Sequence, residues 1–221
     1  MTSPHADNRL LAIACILAGV GLASTQDAIT KAMSSGYPAY EALMLRCIGS
    51  MPVLIPLLLR EGGFGIMATP LTGRIMVRGL ILGTAYLCFV LAIAAMPIAN
   101  AVAIYFTMPF FVAGLAGQIL GERVRPHRWL AIIAGFAGVM IMVRPGISAF
   151  EPAAIFALLS AMGYAIGQMI GRPLSQQVRP VVIALWQNLI YFTISVALAL
   201  LFGVFDFGPF NHPSLVFLSR P

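Results

Sequence analysis

Seven apolar stretches, roughly 10–31, 38–59, 75–95, 98–121, 129–143, 152–171 and 181–205, follow one another with short polar segments between them. A helix needs about 20 apolar residues to cross the hydrocarbon core of a bilayer. Six of the stretches approach or exceed that length, and the fifth attains it with its flanks. The chain is 60% apolar and only 9% charged, with a mean hydropathy of +0.95. A water-soluble domain could not cover that much apolar surface, so lipid is the expected solvent. The expected fold is an all-α integral membrane protein with about seven transmembrane helices.

The net charge of +6 raises nucleic acid as a partner, but the placement of the cations points to the membrane instead. With the N-terminus cytoplasmic, Arg9, Arg60, Arg74, Arg78, Arg123, Arg125, Arg128, Arg172 and Arg179 fall on the cytoplasmic side, and Lys31 and Arg144 fall outside. Basic residues concentrate in cytoplasmic loops, so this asymmetry sets the orientation. The turn Met96-Pro97-Ile98-Ala99-Asn100 carries no charge, as an outer turn should. The first span follows Arg9 and resembles a signal peptide, but its length of about 22 residues and the six spans behind it favour a retained anchor.

Gly21–Ile48 recur 142 positions later as Gly163–Ile190 without a gap, with 7 of 28 pairs identical. Apolar composition alone gives roughly two or three. The identities are Gly21/Gly163, Ala23/Ala165, Gln26/Gln168, Pro38/Pro180, Ala42/Ala184, Leu43/Leu185 and Ile48/Ile190. Five spans separate the starts of the two copies. An odd number sends the second copy into the membrane from the opposite face, so the repeat is inverted, an arrangement used by secondary transporters. Residues 9–146 form the first five-helix unit and 150–221 a partial second one. Pro221 falls a few residues into what reads as an eighth span, so a fragment, a truncated product or a peripheral end is expected there.

Glu61–Gly73 is rich in glycine, but the chain's single lysine, Lys31, lies elsewhere and no phosphate-cradling Gly-Lys-Ser/Thr ending is present. The segment reads as a flexible cytoplasmic loop without an ATP-binding role. Cys15, Cys47 and Cys88 all fall inside spans and read as small packing residues; they imply neither a disulfide framework nor a metal site.

The stretch 101–146 contains Ala-Val-Ala-Ile-Tyr-Phe-Thr-Met-Pro109, Gly121-Glu122-Arg123, Gly135-Phe-Ala-Gly138-Val139 and Arg144-Pro145-Gly146. It resembles the drug/metabolite transporter superfamily in its ten-helix form, built from two EamA-type repeats. The resemblance spans about residues 9–205. It implies a mid-helix proline at Pro109, a Gly-Glu ending on the cytoplasmic side and a glycine-rich fifth helix. Arg46 matches a position where family members often carry arginine. Ser24-Thr-Gln-Asp27-Ala-Ile-Thr-Lys31 is also similar to the bacterial S-adenosylmethionine uptake branch. The second copies of the proline helix and its Gly-Glu ending, together with the last helix, are not in the sequence.

Asp27 lies about four residues, roughly 6 Å, from the outer end of the first span. A carboxylate there either binds a cationic substrate or coupling proton, or pairs with Lys31 at i+4. Arg46, eight residues in from Pro38 and so about 12 Å deep, must find an anion or water. It is expected to attract a substrate carboxylate or Asp27; its repeat counterpart is Asn188. Tyr86, Tyr105, Tyr164, Gln168, Trp186, Gln187 and Asn188 are candidates to line a polar cavity, with Gln168 set apart because Gln26 matches it. Glu41 and Glu122 read as end groups, the latter in an ion-pair cluster with Arg123 and Arg125. Gly163, Gly167 and Gly171, like Ala113, Gly117 and Gly121, put small residues on one helix face for close packing or sliding. Pro109 is expected to kink its helix and serve as a hinge.

The resulting expectation is a gradient-driven transporter of a small metabolite such as an amino acid, working by alternating access, without cofactor or metal, in the inner membrane. An S-adenosylmethionine-like cation is the alternative substrate, and a truncated, non-transporting membrane protein or interaction subunit the alternative role. Bilayer and substrate are the expected partners, a coupling proton and a homodimer are further candidates, and nucleic acid is excluded. An intramembrane enzyme fits poorly, because His5, His127 and His212 lie outside the spans and no nucleophile turn is present.

Overall fold

The computed structural model of the chain describes residues 9–34, 36–119, 126–143 and 153–204. Among these the regular structure is helical: α1 (Arg9–Met33), α2 (Ala39–Glu61), α3 (Thr72–Ala95), α4 (Ile98–Tyr105), α5 (Met108–Ile119), α6 (Pro126–Val143), α7 (Ala153–Gln177) and α8 (Pro180–Val204). Six helical segments are long and apolar enough to span a bilayer, one of them covering α4 and the start of α5, and a shorter apolar helix, Trp129–Gly138, lies within α6. The chain is therefore a multi-pass membrane protein.

The fourth span is broken rather than kinked. α4 stops at Tyr105 and α5 starts at Met108, leaving Phe106 and Thr107 in a turn. Pro109 has no N–H to offer the carbonyl four residues back, at Tyr105, and its ring crowds that turn. The Thr107 N–H bonds instead to Ile104 at 2.9 Å, and the Phe110 N–H picks up Thr107 at 2.9 Å to restart the helix.

α3 is the central helix, packed chiefly on α7 and α8, while α2 lies along α8. Glycine makes the close approaches. A Cβ at Gly79 would collide with Ile190 and one at Gly83 would meet Ile194 at 2.5 Å, where α3 touches α8. On α7, a Cβ at Gly163 would meet Ala85 at 2.7 Å, at Gly167 Leu82 at 2.5 Å, and at Gly171 Arg78 at 2.8 Å. The every-fourth-residue glycines thus form the flat face that takes α3, and the pairs descend one helix as they climb the other, so α3 and α7 are antiparallel.

α2 and α8 are antiparallel too. The Ser195 hydroxyl donates to the Tyr40 carbonyl at 2.7 Å, and seven residues on in α2 and seven back in α8 the Asn188 amide donates to Cys47 at 3.1 Å. Shifted back by 142 positions, α7 would cover 11–35 and α8 38–62, within two residues of α1 and α2 at every end. The same shift takes Asn188 to Arg46 and Leu189 to Cys47, so the contact between 47 and 188 maps onto its own neighbourhood. A two-fold axis in the membrane plane has that property.

Residues 61–73 differ from the expected flexible loop. Gly62 and Gly63 take φ of 139° and 73°, values that disfavour a side chain, and turn the chain into a 3₁₀ helix at Phe64–Met67. The Trp186 indole donates to the Met67 carbonyl at 3.1 Å, and Arg179 donates to the Glu61 carbonyl. These bonds hold the segment against α8.

Candidate functional site

Arg46 lies seven residues into α2, about 10 Å from its end at the α2–α1 turn. Its guanidinium carbon sits 4.4 Å from the centre of the Tyr86 ring and 5.4 Å from that of Tyr191. Those rings, from α3 and α8, are stacked at 5.8 Å with 20° between their planes. The arginine is thus held on a two-ring platform by cation–π attraction. One guanidinium nitrogen, Nη1, is buried without a hydrogen-bond partner. A buried N–H on a cation is strongly disposed to accept an anionic oxygen.

Polar groups tie this platform to the surrounding helices. Gln26 of α1 donates to the Tyr86 hydroxyl at 3.3 Å, and Gln187 donates to the Tyr191 hydroxyl at 3.1 Å. Asn188 donates to Cys47 and accepts from the Ser50 hydroxyl at 2.9 Å, so the counterpart of Arg46 serves as an interhelical tie. Among the described residues no cluster of three or more His, Cys, Asp or Glu is gathered as metal ligands.

Asp27 is half-buried on α1, six residues or about 9 Å from the end of the helix at Met33, at nearly the depth of Arg46. The charge of Arg46 acts on its carboxylate through space. The salt bridge weighed for Asp27 is not made. Lys31 turns its ammonium to the end of α3 and donates to the carbonyls of Ile93, Ala94 (3.2 Å) and Met96 (3.3 Å), where the helix dipole and unpaired carbonyls favour a cation.

Beside Asp27 stands a second aromatic group. Tyr105, within electrostatic reach of Asp27, meets Tyr164 edge to face at 5.4 Å and Phe89 at 5.7 Å. Tyr105 ends α4, so the break in the fourth span lies beside this group. The Thr107 hydroxyl at the break and the Ser160 hydroxyl one turn before Tyr164 are both buried without a partner. The arrangement holds a cation on Tyr86 and Tyr191 and a carboxylate within electrostatic reach of Tyr105.

The structure therefore brings Asp27, Arg46, Tyr105, Tyr164, Gln187 and Asn188 into one neighbourhood. Gln168 lies apart: it is exposed on α7, although its repeat counterpart Gln26 reaches the site. Ala113 is buried on α5. The expected ion-pair cluster of Glu122 with Arg123 and Arg125, the small residue Gly121, the Arg144-Pro145-Gly146 ending and the stretch after Val204 lie outside the described residues, and of Gly117 only its place in α5 is described.

Two residues of the site escaped sequence reasoning. Tyr191 was detectable as the residue four positions after Gln187, on the same helix face. Arg78, counted there with the cytoplasmic cations, instead lies six residues inside α3, half-buried, donating to the Gly167 carbonyl at 3.2 Å and to Gln187 at 3.0 Å.

A multi-pass bundle with a broken helix and with a carboxylate and a guanidinium at similar depth has the features of a membrane transporter unit. Residues 10–144 match the EamA-like transporter family, and the chain belongs to that family. A riboflavin transporter of Rhizobium johnstonii is 32% identical over 85% of this chain and 62% of its own length. An S-adenosylmethionine uptake transporter of Rickettsia prowazekii is 25% identical over 67% of this chain and 50% of its own. A pseudopaline exporter of Pseudomonas aeruginosa is 34% identical over 69% and 53% respectively. The chain thus spans 50–62% of the length of these relatives. The family and these relatives are transporters rather than enzymes. No solved structure matches the chain.

Proposed function

We propose that the chain forms the substrate-binding part of a gradient-driven transporter for a small zwitterionic metabolite of the amino-acid type. The observation that carries this reading is the unpartnered Nη1 of Arg46, held on the Tyr86–Tyr191 platform at nearly the depth of Asp27. A substrate carboxylate would take Arg46, its cationic group would take Asp27, and the tyrosines would enclose the apolar remainder. Asp27 is then the group that exchanges a coupling proton when substrate leaves. The protein would lie in the inner membrane with its N-terminus cytoplasmic, as inverted units of residues 9–146 and 150–221 that rock about the contact between α2 and α8. The antiparallel register of α2 and α8, and the match of α7 and α8 to α1 and α2, support that division.

An S-adenosylmethionine-like cation is the second reading. It is favoured by the aromatic enclosure beside Asp27, since a sulfonium is attracted to ring faces as other cations are. Uptake into proteoliposomes of labelled amino acids, S-adenosylmethionine, riboflavin and a cationic dye tests both. We expect saturable uptake of a zwitterion, lost in Arg46→Ala and Asp27→Asn with insertion intact. Equal uptake by both variants would remove these residues from the mechanism, and no flux of any probe would favour a non-transporting membrane subunit.

A further inference from the structure

The Arg78 side chain bridges α3 to both α7 and α8 by hydrogen bonds. Its Nε donates to the Gly167 carbonyl at 3.2 Å and its Nη1 to the Gln187 side-chain oxygen at 3.0 Å. The site is built for it: a Cβ at Gly171 would lie 2.8 Å from the Arg78 Nε, so the missing side chain at 171 is what admits the guanidinium between the helices. An arginine inside a bundle needs such carbonyl and amide acceptors to be tolerated there.

The chain of contacts continues inward. With its oxygen facing Arg78, the Gln187 amide presents its N–H₂ to the Tyr191 hydroxyl at 3.1 Å. Tyr191 stacks on Tyr86, and both rings carry Arg46. Arg78 thus sets which way Gln187 points, and Gln187 sets the hydroxyl of a ring in the substrate platform. Its location suits a gate: Arg78 lies about 9 Å from the start of α3, on the side where α1 begins and below the platform. Above it, Leu82 fills the groove at Gly167 and is 3% exposed.

We propose that Arg78 is a positioning residue that latches α3 to α7 and α8 and closes the bundle at the end where α1 begins, the cytoplasmic end in the orientation proposed above, with Gln187 joining the latch to the substrate platform. The proposal rests on the transport reading for its purpose, but the closure itself is measurable without transport. When the latch opens, α3 parts from α7 along the glycine face and Leu82 becomes accessible from the cytoplasm.

The test places one reporter, Leu82→Cys, in a chain with Cys15, Cys47 and Cys88 replaced by alanine, and follows labelling by a membrane-impermeant maleimide in inside-out and right-side-out vesicles. With Arg78 present, labelling should be slow from both faces. Arg78→Ala should raise the rate at least about tenfold from the cytoplasmic face alone, the change that losing one charge-assisted hydrogen bond produces in a two-state equilibrium.

Gln187→Leu and Gly171→Ala, which disturb the latch from the opposite helices, should act in the same direction. Tyr191→Phe, which removes only a hydroxyl, should give a smaller rise, and Gln187→Leu should add nothing once Arg78 is gone. Equal labelling with Arg78 intact overturns the proposal. So does a rise in Arg78→Ala that Gln187→Leu and Gly171→Ala do not reproduce, since Arg78 would then be a packing residue of α3. If Arg78→Ala fails to fold, the Gln187 and Gly171 variants decide alone. Absence of flux in the parent chain would count against the transport reading and leave the labelling result standing.

Discussion

Gly167→Ala should loosen the contact between α3 and α7 in a way that a second substitution partly repairs. The added methyl would lie 2.5 Å from one Leu82 methyl and 2.7 Å from the Leu82 branch carbon, whereas carbon atoms rest at about 3.5–4.0 Å. Either the helices part by about 1 Å or Leu82 leaves its rotamer, and overpacking of this kind costs about 1–3 kcal/mol. Leu82→Ala alone costs about 2–5 kcal/mol, because Leu82 is almost fully buried and its removal leaves a cavity. In the double variant the new methyl occupies part of the space Leu82 vacates, so the total should fall short of the sum by about 1–2 kcal/mol. Reversible unfolding in mixed micelles measures all three. Gly114→Ala, where a Cβ would meet nothing within 4 Å, serves as control and should be neutral or stabilising by up to about 1 kcal/mol. A neutral Gly167→Ala, or strict additivity with Leu82→Ala, would refute the close packing on which any sliding of α3 over α7 depends.

Arg46→Met keeps the length of the side chain but removes the charge; it should weaken zwitterion binding by about 10- to 100-fold, as expected for a charge-assisted hydrogen bond of about 1.5–3 kcal/mol. Arg46→Lys should recover only part of this, checked by the concentration dependence of proteoliposome uptake. Lys31→Met removes the cation at the end of α3 and should lower stability by about 0.3–2 kcal/mol, read as a thermal shift in detergent, with Asp27 chemistry unaffected because the two are not paired. Pro109→Ala restores an N–H for the Tyr105 carbonyl and should join α4 to α5, raising thermal stability while slowing substrate exchange; an unchanged rate would show that the break has no part in the cycle.

The membrane class was legible because hydrophobic stretches long enough to span lipid have few other uses, and helix ends followed from where those stretches stop. The glycine face of α7 was legible from its four-residue spacing, and Asp27 and Arg46 from the expense of placing a charge at their depth. Side-chain direction was not. Gln26 and Gln168 match in sequence, yet only Gln26 reaches the site, because α7 turns its 163–167–171 edge to α3 and leaves 168 outside.

The sequence alone determined that the chain lies in a bilayer as a multi-pass helical protein, and its 142-residue repeat paired the first two helices with the last two described ones. The tertiary structure alone decided the partners: Lys31 goes to the end of α3 rather than to Asp27, Arg78 to α7 and α8 rather than to the cytoplasm, and Arg46 onto two tyrosines 40 and 145 positions further along the chain. The physical reason is that hydropathy acts residue by residue along the chain, whereas a charge inside a bundle is satisfied by whichever acceptor the packing of other helices brings within reach.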